Sequence, residues 1–153
     1  MTFPSTKFFA VATWLIPLVA SSAVLAQEAQ PKLPTVAITA GMHIIQAELA
    51  QTPEQRSTGM MMRKTMGTNE GMLFVFEQSS KQCFWMKNTL LPLSIAFVEA
   101  DGTVVNIDEM KPQTLESHCS AKAVPFVLEM NAGWFAKRGI KAGFKLKGPA
   151  FAP

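Results

Sequence analysis

The chain is poor in charge and in reactive side chains. Only 16% of its 153 residues are charged, and there are two cysteines and two histidines. No glycine loop of phosphate-binding type, no Gly-x-Ser-x-Gly elbow and no paired-histidine helix motif occurs. The familiar nucleotide-binding, hydrolase and metalloprotease sites are therefore without support. The cysteines form no Cys-x-x-Cys, so thioredoxin-type redox chemistry is without support too. The formal net charge of +3 is too mild, and its bases too scattered, to argue for nucleic acid. The one local excess, Lys137, Arg138, Lys141, Lys145 and Lys147, reads as a solvated face, with docking of an anionic partner as the alternative. Internal repeats, low-complexity tracts and a second domain are all missing.

What is present is apolar: 48% of residues are hydrophobic, enough for one domain with a real core. The first 26 residues read as a signal peptide. Lys7 precedes an apolar run from Phe8 to Ala20, and Val24-Leu25-Ala26 offers a small-residue cleavage site before Gln27. The run is short for a membrane span and Pro17 interrupts it, so removal is favoured over retention as an anchor. The mature protein is expected in the periplasm or outside the cell, meeting the membrane only during export. There Cys83 and Cys119 are expected to form a disulfide, worth roughly 3–4 kcal/mol in the chain-entropy model.

Residues 27–34 read as an exposed, disordered leader, and 35–148 as one β-rich domain. Val36–Ile38 and Met42–Leu49 read as a strand pair around Gly41. Thr52-Pro53-Glu54-Gln55 is a helix start with a capping box, and the helix is expected to run to about Met62. Its Gly59 points to a close packing contact. Met72–Phe76 is apolar at every position, as in a strand covered on both faces. Leu93–Ala100 and Thr103–Met110 flank Asp101-Gly102, a type I′ hairpin signal. Val124–Met130 is a further strand, Asn131 is a cap for a short helix over Ala132–Arg138, and Phe144–Lys147 alternates as a last strand. The expected architecture is mainly β: an antiparallel barrel or sandwich of seven to eight strands with two short helices.

The densest chemistry lies in Cys83–Leu93. Strand alternation puts Phe84 and Met86 on a core face and Cys83, Trp85 and Lys87 on the other. Trp85, Lys87, Asn88 and Thr89 are the candidate ligand-binding residues, joined by Arg63 and Glu129; these two and Arg56 are charges embedded in apolar runs. A charge in such a run must pair or reach water, so Glu129 is expected to pair with Arg63 or Lys87. The expected ligand is small and polar or anionic, or a segment of a protein partner, with Trp85 as a stacking wall. Two other classes stay open. One is a small enzyme with Lys87 as base or anion clamp, although no nucleophile–base pair is visible. The other is a soft copper site among Met60, Met61, Met62, Met66, Met72 and Met86, against which stands the use of methionine as core filler. No resident cofactor or metal is expected. His43 reads as a sheet residue and His118 as a solvated loop residue.

Several stretches carry a resemblance. They are Arg56 with Gly59–Arg63, Gly71–Phe76, Phe84–Thr89 with Pro92-Leu93, Asp101-Gly102, Leu128-Glu129, Ala132-Gly133 and Gly139–Gly143. On these the chain resembles the family known as domain of unknown function 192, from about Met42 to Leu146. The resemblance implies a compact, mainly β domain, often exported, and no established activity. Ser94 and Phe144 stand where that family commonly has Asp, which lowers the odds of carboxylate catalysis or a hard-metal site. The cysteine pair is similar to a feature of a subset of the family.

Overall fold

A computed structural model describes residues 28–151. The signal peptide expected over residues 1–26 lies outside the described residues. Eight strands occur: β1 (Thr35–Ala40), β2 (His43–Ala50), β3 (Glu70–Ser80), β4 (Cys83–Phe84), β5 (Leu93–Val98), β6 (Val104–Met110), β7 (His118–Cys119) and β8 (Val124–Asn131). One α-helix, α1 (Pro53–Thr58), follows β2, and a 3-10 turn spans Ala136–Arg138.

Six strands form one sheet in the order β1-β2-β3-β8-β5-β6, and β4 and β7 form a separate pair. The sheet is mostly antiparallel, but β2 and β3 run parallel, with Gln46 opposite Glu70 and Ala50 opposite Phe74. That corrects the all-antiparallel expectation. The physical reason is the crossover through α1, which returns the chain to the end of the sheet from which β2 started. The expected barrel is also corrected, because β1 and β6, the two ends of the sheet, do not pair with each other. The stretch expected as a last strand bridges them instead. Lys147 exchanges backbone bonds with Thr39 (2.7 and 2.9 Å), while Leu146 N donates to Gly102 O at 2.9 Å. Edge groups that would otherwise stand unpaired are covered there.

Both faces of the sheet are buried, because alternate residues of β3, β5 and β8 serve different cores. Leu73, Ala96, Val98, Leu128 and Met130 meet Trp134, Phe135, Ile140 and Leu146 from the C-terminal segment. Met72, Phe74, Ile95, Phe97 and Val127 meet Met60, Met86 and Phe84 from the connections. All six residues of β5 are buried.

The helix expectations need two corrections. The capping box of α1 forms as read, with Gln55 N donating to Thr52 Oγ1 at 3.2 Å and Thr52 N to Gln55 Oε1 at 3.0 Å. The helix nevertheless ends at Thr58 rather than Met62, because Gly59 leaves helical geometry (φ 48°, ψ −130°). A Cβ on Gly59 would come within 3.2 Å of the Phe74 ring, which accounts for the glycine. The second helix is only the 3-10 turn: Asn131 stays in β8 opposite Leu93, and Gly133 takes φ 73°. The Asp101-Gly102 hairpin forms, but with a turn bond from Gly102 N to Glu99 O (2.9 Å) and only Gly102 of the pair at positive φ (88°). It is thus a three-residue loop with a glycine bulge, not type I′.

The leader stretch makes contacts that its composition did not announce. Gln30 Nε2 donates to the carbonyls of Gln55 (3.2 Å) and Gly59 (2.8 Å), and Leu33 N donates to Glu48 Oε2 at 2.8 Å. No helix among the described residues is long and apolar enough to cross a membrane.

Candidate functional site

Three segments converge over the second core: the end of α1, β4 with Trp85 directly after it, and the turn that follows. Cys83 lies directly opposite Cys119 in the β4–β7 pair, and the two are joined as a disulfide. This clip holds Phe84 edge-on against Phe74 at 4.8 Å between ring centroids. Alternation then does what the sequence implied: Met86 is fully buried while Trp85 is 50% exposed.

The turn after Met86 is built from its own backbone. Asn88 takes φ 56°, a conformation that Asn tolerates better than most residues. Its carbonyl accepts from Met62 N at 2.9 Å, and Thr89 N donates to Met86 O at 3.1 Å. Asn88 therefore serves to join the turn to the segment after α1. Thr89 is buried, with its hydroxyl 3.3 Å from Lys87 O. Lys87 is exposed and sits over the outer Trp85 ring, its Nζ 5.4 Å from the centroid.

Glu129 is the unexpected member. It lies in β8 between Met72 of β3 and Ile95 of β5, in the middle of the sheet. Its side chain is 4% exposed. The expected pairing with Arg63 or Lys87 does not occur, and no hydrogen bond or ion pair reaches its carboxyl among the described residues. Burial alone pushes this carboxyl up to about 8, because water is no longer there to solvate the charged form. The carboxyl borders a cavity of about 30 Å³ whose walls include Thr58, Met60, Phe74, Phe84, Trp85 and Thr89. A cleft of about 340 Å³ lies alongside and shares Arg56, Met61, Phe84 and Trp85 with it. Arg56 donates to the carbonyls of Gln51 and Val75 and lies 5.0 Å over the Phe76 ring.

Arg63 went elsewhere for a backbone reason. The chain turns after α1, with Met62 at φ 59°, and this carries Arg63 to β2. There its guanidinium pairs with the buried Glu48 at 2.8 Å, and Lys32 reaches the same carboxylate at 3.3 Å. The candidate set is thus divided: Trp85, Thr89 and Glu129 share the cavity, Lys87 flanks it, Asn88 shapes its rim, and Arg63 belongs to a separate ion pair. Arg56, Thr58 and Met60 were missing from the set. The glycine stop at Gly59, which turns the end of α1 toward Phe74, was the signal that places them here. Glu48 was missed as well, although it carries the same mark as Glu129: an acid inside a strand of apolar residues.

The methionines named for copper mostly fill the second core. Met60, Met72 and Met86 are buried in it and Met66 packs against it. His118 is buried rather than solvated, with Nδ1 2.6 Å from Asp108 Oδ2, because the β4–β7 pairing sets it opposite Phe84. At Ser94 a carboxylate is still supplied, from across the β5–β6 ladder. Ser94 Oγ donates to Glu109 Oε1 at 2.6 Å, and Gly133 N donates to Ser94 Oγ (2.7 Å) and Glu109 Oε2 (3.1 Å).

A family model described as "Uncharacterized ACR" matches residues 35–148, the whole sheet and both of its coverings. The chain belongs to the domain of unknown function 192 family. Two solved structures share the fold at sequence identities that also mark kinship. A candidate transcription regulator from Sinorhizobium meliloti is 36% identical with a TM-score of 0.72, over 76% of this chain and 94% of that one. A protein of unknown function from Novosphingobium aromaticivorans is 37% identical with a TM-score of 0.69, over 74% of this chain and 83% of that one. No curated protein matches the sequence.

Proposed function

We propose that this member of the family is an exported binding module that takes a small polar ligand, or an extended segment of a partner, in the cleft between α1 and Trp85. The observation that carries the reading is Glu129: a buried carboxyl with no partner among the described residues, lining one cavity with a half-exposed tryptophan. An unpaired buried polar group costs stability, so its retention favours a use in recognition. Binding is favoured over turnover because the lining hydroxyls of Ser57 and Thr89 donate to backbone carbonyls, of Glu54 and Lys87, and not to Glu129. The anionic version of the ligand keeps only Lys87 at the flank, since Arg63 and Asn88 are committed to other contacts. Export is supported by the disulfide, which persists in oxidising compartments. A role in transcription, the description given to the Sinorhizobium protein, finds no support in the charge. Lys122 and Lys145 are engaged by Glu99 and Asp101, and the net charge is only +3.

The test is a small-molecule screen by NMR on protein labelled at methionine methyls and tryptophan indoles. Ligands of this site shift Met60, Met61 and Trp85 together, and Trp85→Ala weakens them. Hits that move other regions and bind Trp85→Ala undiminished would sink the reading.

A further inference from the structure

The cavity over Glu129 narrows the ligand class, and this step rests on the binding reading above. Glu129 is 4% exposed, unpartnered, and borders a space of only about 30 Å³. That admits a group the size of one or two water molecules, not a phosphate, a guanidinium or a ring. Three of the walls are the aromatic rings of Phe74, Phe84 and Trp85. The Phe74 and Phe84 rings offer an anion no hydrogen-bond donor, which disfavours an anion. Trp85 already carries one ammonium, with Lys87 Nζ 5.4 Å from its ring centroid. Arg56 is the only charged residue besides Glu129 among those lining the cavity, and its guanidinium is taken up by two carbonyls and the Phe76 ring.

We propose that this cavity takes the ammonium tip of a primary amine, either a free amine or the end of a lysine side chain, with Glu129 as its counter-ion. The protons balance simply. With the site free near neutral pH, Glu129 holds its proton, since burial pushes its carboxyl up to about 8. The amine arrives as an ammonium and keeps all its protons. Glu129 releases one proton to solvent and becomes the carboxylate that faces the ammonium.

The experiment is calorimetric titration of the full chain with n-butylamine, n-butanol and butyrate, at about pH 6.5, where Glu129 is protonated. Two buffers of different ionisation enthalpy report the proton count, and the Trp85 and Met60 NMR signals report the place. The expected result is that n-butylamine binds best, releases close to one proton, and shifts both signals. Glu129→Gln is expected to weaken the amine at least about tenfold and to abolish the release. If that variant fails to fold, the proton count on the unaltered protein decides alone. Amine binding without proton release overturns the assignment. If butanol or butyrate shifts Trp85 and the amine does not, the ammonium assignment falls and the cleft reading stands. If none of the three shifts Trp85 or Met60, the ammonium assignment falls, while the cleft reading stands or falls by its own screen. A blocked lysine, N-acetyl-lysine N-methylamide, separates the two sources. Tighter binding than butylamine identifies a lysine side chain, and equal or weaker binding identifies a free amine.

Discussion

Glu48 and Glu129 are a matched pair with opposite surroundings. Each sits inside a strand of the same sheet, and each is 4% exposed. Glu48 is met by Arg63 at 2.8 Å, by Lys32 at 3.3 Å and by Leu33 N at 2.8 Å. Glu129 is met by apolar side chains and a small cavity. A buried acid with a full set of partners is a fastening, here holding the post-helix turn and the leader on β2. A buried acid with none destabilises the fold unless it serves as a neutral group or awaits a partner from outside. The difference gives one end of the sheet a structural fastening and makes its centre the place of the proposed recognition.

The strongest way to break the comparison is Arg63→Ala. It leaves the Glu48 carboxylate buried without its guanidinium, with only Lys32 and the Leu33 N–H in support, and a loss of about 3–5 kcal/mol in urea unfolding is expected. A loss under about 1 kcal/mol would show Glu48 to be as unpaired as Glu129. Next is the clip that carries Phe84 and Trp85. Replacing Cys83 and Cys119 together by Ser should cost roughly 3–4 kcal/mol in the same assay. Non-reducing mass spectrometry of the unaltered protein should find the two cysteines joined, and free thiols would count against the clip.

The third prediction concerns pH. Glu129 has a folded-state value of about 8 against an ordinary 4.5, so between those limits the folded protein holds a proton that the unfolded chain has lost. Stability therefore falls as pH rises through that window, by up to about 1.4 kcal/mol per pH unit. Glu129→Gln should remove this slope and be the more stable form above pH 8. Identical pH profiles for the two proteins would mean that Glu129 is solvated or paired. The smallest effect is expected at Trp85, half-exposed over the cleft. Trp85→Ala should change stability by no more than about 0.5 kcal/mol while weakening any cleft ligand. A larger loss would make Trp85 part of the core.

Much of the frame was legible because it depends on near neighbours. The capping box at Thr52–Gln55, the Leu93–Met110 hairpin and the split of Phe84 and Met86 from Trp85 all follow from spacings of a few residues. The double-sided burial expected of Met72–Phe76 holds for Met72–Phe74, while Val75 and Phe76 are only half-buried. What was misread depends on direction and partner. The parallel pairing of β2 with β3 is decided by where the crossover lands, and the early end of α1 by the contact between Gly59 and Phe74. Arg63 and Glu129 both carried the mark of an embedded charge, and that mark names no partner.

By itself the sequence determined a mainly β domain, a helix start, a hairpin and one tryptophan left out of the core, because periodicity and capping act within a few residues. Only the tertiary structure decided which of two buried glutamates finds a cation. The turn after α1 aims Arg63 at β2, and the register of β8 sets Glu129 between Met72 and Ile95. Those are relations between strands distant in the chain, and no local pattern encodes them.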